Sequence, residues 1–85
     1  MPSTIHTLRI MDSQLRDESR RGIERASSRL HGHWCVSLIV EESATLEVRM
    51  SDDRGKMLHS TVICKEDVAT EVEEAILRLA APHEV

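Results

Sequence analysis

Two hydrophobic periods alternate along the chain. From Gly55 to Leu79 the run GKMLHSTVICKEDVATEVEEAILRL contains both. Leu58, Ser60, Val62 and Cys64 fall on one side of an extended segment, and Met57, His59, Thr61, Ile63 and Lys65 on the other. A period of two with β-branched Thr61, Val62 and Ile63 predicts a half-buried strand. Val68, Val72, Ala75, Ile76 and Leu79 then recur at three- and four-residue steps, which predicts one apolar helical stripe. Asp67 stands at the N-cap, Glu71, Glu73 and Glu74 lie towards the positive end of the helix dipole, and Pro82 stops the helix.

The upstream pattern predicts four more elements. Residues 4–11 alternate as a first strand, with His6, Leu8 and Ile10 on one face. Asp12-Ser13 offers a helix start. Over residues 14 to about 31, Leu15, Ile23, Ala26 and Leu30 form a thin apolar stripe with Ser19 on the same face. Gly22 weakens that helix, and Gly32 is placed to end it. Residues 34–42 are a second strand, with Val36, Leu38 and Val40 facing one way; residues 45–50 are a third, with Leu46, Val48 and Met50 inward. Asp52-Asp53-Arg54-Gly55 is a turn whose Gly sits where φ > 0 is needed. The order β-α-β-β-β-α predicts an antiparallel meander of three strands and a right-handed helical crossover between the first two strands. Both helices then pack on one face of a four-stranded sheet, a two-layer α+β sandwich with one domain over residues 1–85.

Composition narrows the picture. Eighty-five residues with Trp34 as the one aromatic, and neither Phe nor Tyr, predict modest stability or a partner that covers more surface. Cys35 and Cys64 each fall in a predicted strand; two buried thiols are expected rather than a cross-sheet disulfide. No apolar run reaches the length of a membrane span, and the start of the chain lacks a basic-then-apolar signal pattern, so a cytoplasmic protein is expected. Residues 1–40 hold six Arg against Asp12, Asp17, Glu18 and Glu24, whereas residues 41–85 hold five cations against eleven carboxylates, for a net charge of −4. An acidic total argues against indiscriminate nucleic-acid binding but leaves a local basic face.

That face is the first helix. Arg21, Arg25 and Arg29 recur every four residues, and Arg16 and Arg20 flank the apolar side. Guanidinium groups in rows suit RNA phosphates, because each offers a planar fork of donors. The competing interpretation is a solvated helix face neutralised by Asp17, Glu18 and Glu24. His31-Gly32-His33-Trp34-Cys35 holds good zinc or copper ligands but lacks the spaced pairs of a structural site, so no metal is expected. No nucleophile elbow, glycine-rich phosphate loop or convergent carboxylate pair appears around His59 or elsewhere; no enzyme, cofactor or small-molecule substrate is expected. Stacking of single-stranded RNA on the sheet needs exposed aromatics, and Trp34 is expected to pack at the sheet end.

The element order, closed by Gly55, His59, Asp67, Val72-Glu73-Glu74-Ala75-Ile76 and Arg78-Leu79, resembles the ribosome hibernation-promoting factor family, also called the ribosome-associated inhibitor or sigma-54 modulation family. The first helix ends similarly, in Arg29-Leu30. Double-stranded-RNA-binding domains share much of this topology, but their basic loop-and-helix cluster is replaced here by an acidic helix start. The resemblance implies a translation regulator active under stress, bound to ribosomal RNA in the decoding channel of the small ribosomal subunit, where it blocks messenger and transfer RNA. It carries over Arg20, Arg29 and Arg78 as RNA-binding positions; Arg16, Arg21, Arg25 and Lys65 are added from helical geometry and charge. The acidic second half and the missing basic tail motivate the alternative, a protein-interaction or regulatory module that keeps the fold without binding RNA, and the chain departs from the family at several positions. The tail is Ala80-Ala81-Pro82-His83-Glu84-Val85 rather than basic, Val68-Ala69 replaces an aromatic, and Ser19 and Ser27 stand where the family is apolar.

Overall fold

Alternation of more and less buried positions along three neighbouring strands, broken at exposed Val40, gives this chain a sheet with one covered and one open face. The computed structural model describes residues 3–42, 45–63 and 67–81. They form β1 (Ser3–Arg9), α1 (Ser13–Ser27), β2 (His33–Glu42), β3 (Thr45–Ser51), β4 (Met57–Ile63) and α2 (Val68–Ala80). The sheet order is β1-β2-β3-β4, with β1 parallel to β2 and the other neighbours antiparallel. This is the α+β, β-α-β-β-β-α arrangement that the hydrophobic periods predict, with the two helices packed together. No described helix is long and apolar enough to cross a membrane.

The register places the core in rows. Leu38 lies opposite Val48 and beside Leu8, while Val36 lies opposite Met50, which in turn faces Leu58. Val36, Leu38, Leu46, Val48 and Met50 are buried from solvent beneath Ile23, Ala26, Val72 and Ile76. Burial of such side chains stabilises by about 1.5–3 kcal/mol each. Ile10 and Leu30, which flank elements, join the same cluster, and so does Trp34, whose Nε1–H donates to the His31 carbonyl at 2.9 Å.

Both helix starts are capped as expected. Asp12 Oδ1 accepts from the Leu15 N–H at 2.8 Å, and Asp67 Oδ1 from the Thr70 N–H at 3.2 Å. At the turn between β3 and β4, Gly55 has φ +81° and donates its N–H to the Asp52 carbonyl, while the Asp52 N–H donates to the Lys56 carbonyl. A left-handed glycine closing such a turn is the geometry that three-residue hairpin loops favour.

Three expectations are corrected. α1 ends at Ser27 rather than near residue 31, because the Ser27 and Ser28 hydroxyls donate to the Glu24 and Arg25 carbonyls at 3.0 and 2.8 Å. The chain then turns through Arg29 before Gly32 adopts φ +85°. Gly22 is not merely a weak point: a Cβ there would stand 2.6 Å from the Ala69 carbonyl oxygen and 2.8 Å from Val72 Cβ, so its bare backbone is where α1 and α2 meet. Finally, Cys35 is exposed, because its position alternates with buried Trp34 and Val36. Cys64, Lys65 and Pro82 lie outside the described residues.

Candidate nucleic-acid interface

The cationic side chains of α1 divide according to the helix's own geometry. Ser19, Gly22, Ile23 and Ala26 face inward, which sends Arg20, Arg21 and Arg25 outward, all exposed. Arg21 and Arg25 lie one turn apart on the outer surface. Arg20 points to one side and pairs with Asp17 at 3.7 Å, with both side chains about half exposed. Arg16 is half-buried, and its Nε is enclosed with no hydrogen-bond partner among the described residues. Its position beside the apolar stripe holds the stem down on the fold.

Arg29 does not continue the row as a helical residue, because α1 has already ended. It lies beyond the Ser28 cap, its N–H donating to the Ala26 carbonyl at 2.9 Å, and its guanidinium reaches Glu73 of α2 at 3.6 Å. Its side chain remains 65% exposed. Arg25 also stands near an acid from the second helix. Asp67 is held below its ordinary pKa of 3.8 by the Thr70 hydroxyl, which donates to it at 2.7 Å, by the Thr70 N–H, and further by the Arg25 charge. Arg21 and Arg25 therefore share the outer surface of α1, while Arg29, beyond the helix end, reaches across to Glu73 of α2.

Arg78 is elsewhere. With Glu71, Glu74 and Ala75 of α2 it lines a groove against Ser60–Ile63 of β4. α1 packs over β1 and α2 over β3 and β4, so this groove is on the far side of α2 from α1. The fold brings together Arg20, Arg21, Arg25 and Arg29 but not Arg78, and Lys65 lies outside the described residues. Periodicity finds residues on one helix; it has no information on which side of a second helix a residue emerges.

The open face of the sheet adds polar groups that the helical pattern did not single out. Thr7, Ser37, Arg49 and His59 form one row straight across the four strands, and Arg9, Ile39, Glu47 and Thr61 the next. Arg49 forks onto Glu47 through Nε and one terminal nitrogen at 2.8 and 3.2 Å. A shallow depression among Thr7, Arg9, Cys35, Ser37 and Arg49 lies on this face. Strand parity signals Arg9 as outward, but only the pairing register puts it across the sheet from Glu47. His31 and His33 are exposed and line a second hollow with Trp34, Asp52, Asp53 and Arg54. No cluster of three His, Cys, Asp or Glu suited to a metal ion is found among the described residues.

No protein-family model matches the chain, and no curated protein matches it.

Proposed function

We propose that the chain is a non-enzymatic regulator of the ribosome hibernation-promoting factor type, one that binds ribosomal RNA of the small subunit through the outer surface of α1. The exposed Arg21 and Arg25, one turn apart on a capped helix and flanked by Arg20 and Arg29, carry this reading. Donor forks on a rigid helix meet a phosphate backbone with little ordering cost. The β-α-β-β-β-α order supports it at the level of fold, and fold by itself leaves function open.

Co-sedimentation with purified small ribosomal subunits at two salt concentrations tests it. Saturable binding that initiator transfer RNA competes away is expected, weakening with a log–log salt slope of about −0.7 to −0.9 per phosphate contact. Replacing Arg21, Arg25 and Arg29 together by Glu should abolish binding while leaving the folded spectrum intact. Binding that survives the triple change refutes the assignment to α1.

One observation favours the second reading, a protein-interaction module without RNA binding. Glu73 of α2 pairs with Arg29, and Asp67 at the N-cap of α2 feels the Arg25 charge, so both cancel part of the positive field that an RNA would meet. On this reading a protein partner binds independently of salt, and ribosomal subunits do not bind even at low salt.

A further inference from the structure

Strand β4 is the edge of the sheet, and its sequence carries none of the features that usually blunt an edge. Over Met57–Ile63, MLHSTVI, there is no Lys, Arg, Asp, Glu or Pro, and the pairing with β3 runs without a bulge. Met57 and Ile63, at its two ends, are 62% and 57% exposed, both on the open face. The phase of the ladder tells which backbone groups are unpaired. Asp52 and Lys56 are a hydrogen-bonded pair at the turn, and in an antiparallel ladder bonded and non-bonded pairs alternate. Leu58, Ser60 and Val62 therefore bond to β3, and the N–H and C=O groups of Met57, His59, Thr61 and Ile63 point out to the edge.

We propose that β4 pairs antiparallel with β4 of a second copy of this chain, centred on Ser60, to make a continuous eight-stranded sheet. In this register Met57 faces Ile63 of the second copy and His59 faces Thr61, so every outward backbone group finds a partner, about eight hydrogen bonds in all. A shift by two residues in either direction leaves an end pair unmade. The same register places the two exposed apolar side chains against each other twice, on the open face. On the helix face, Leu58 meets Val62 of the second copy and extends the core.

The charges of α2 fit the same two-fold axis. Glu71, Glu74, Ala75 and Arg78 line the groove along the β4 edge, and none of the ion pairs seen among the described residues uses Glu74 or Arg78. Because α2 lies over β4 and β3, the two copies of α2 stand roughly 10 Å apart across the axis, the distance at which helices pack. They run antiparallel, so Glu74 of each is offered to Arg78 of the other. The pairing covers Arg78 and leaves Arg21 and Arg25 on the outer surface, so it stands or falls independently of RNA binding.

Sedimentation equilibrium over a dilution series tests this, with disulfide trapping to report the register. The expected mass is twice 9.6 kDa, falling towards 9.6 kDa on dilution. Thr61→Pro removes only an edge-facing N–H, and Thr61→Lys puts a charge on an exposed position; each should give a monomer with an unchanged far-ultraviolet spectrum. With Cys35 and Cys64 replaced by Ser, Ser60→Cys should oxidise to a linked dimer, because a non-bonded pair on the axis brings Cα atoms to about 4.5 Å. Thr61→Cys, which faces His59 of the second copy, should not. A mass of 9.6 kDa at every concentration overturns the proposal, as does a dimer that both Thr61 variants leave intact.

Discussion

Replacing Gly22 by Ala sets two physical effects against each other, and the structure decides the sign. In an exposed helix the change stabilises by about 0.8–1 kcal/mol, through backbone entropy. Here the new Cβ would lie 2.6 Å from the Ala69 carbonyl oxygen, 2.8 Å from Val72 Cβ and 3.0 Å from Val72 Cγ1. Ordinary contact begins near 3.4 Å, so the two helices must separate by roughly 0.8 Å. The nearest atom belongs to the backbone of α2 and cannot rotate away. Overpacking of this kind costs about 1–3 kcal/mol, and a backbone obstacle belongs in the upper half of that range. A net destabilisation of about 1–2 kcal/mol is therefore expected. One turn earlier, Ser19 is fully buried and its Oγ has no hydrogen-bond partner among the described residues. Ser19→Ala relieves that desolvation and gains helix propensity, for an expected stabilisation of about 1 kcal/mol. Two changes to Ala on one helix face thus act in opposite directions. Urea unfolding followed by Trp34 fluorescence reads both, since a domain of this size shifts its midpoint by roughly 1 M for such a change. A Gly22→Ala protein that is more stable than the parent would refute the close approach of α1 and α2.

Further outcomes follow from the same geometry. Asp67 has a depressed folded pKa, so its cap contribution is fully present above about pH 4, its unfolded value, and is lost as pH falls through the folded value. Asp67→Asn should flatten the acid limb of an unfolding-versus-pH series; an unchanged limb would remove the cap from the account. Cys35 lies on the open sheet face, so a maleimide should label it in the native chain at a rate close to that in urea, and strong native protection would contradict its placement. Leu38→Ala, at the centre of the covered face, should cost about 2–5 kcal/mol by the same denaturation assay, and a loss below 1 kcal/mol would mean that this layer is not close-packed.

Elements, caps and faces are legible along the chain because they depend on local spacing. Alternation at Leu46, Val48 and Met50 marks the covered face without any knowledge of a partner strand, and Asp12 and Asp67 declare helix starts because capping uses only the next few residues. The same local reasoning puts Arg21 and Arg25 together on the outside of α1. It extends the row too far, to Arg29, because the competition of Ser27 and Ser28 for the last carbonyls has no hydrophobic signature.

What only the tertiary structure decided concerns distance between elements. Gly22 reads as a defect in a helix until a second helix is seen to occupy the space of its missing Cβ. Arg29 reads as free until Glu73 arrives from α2, and Arg78 joins the other arginines on paper but emerges on the far side of its helix. Cys35 is the exception: it is exposed, and strand parity with Val36 and Leu38 already puts it on the uncovered face of a two-layer sandwich, against the expectation of a buried thiol. The sequence by itself determined the six elements and the side of each that is apolar, since those follow from 3.6- and 2-residue periods. Which helix meets which, and at what separation, is set by the fit of side chains across the layers, and that information is not periodic in any one segment.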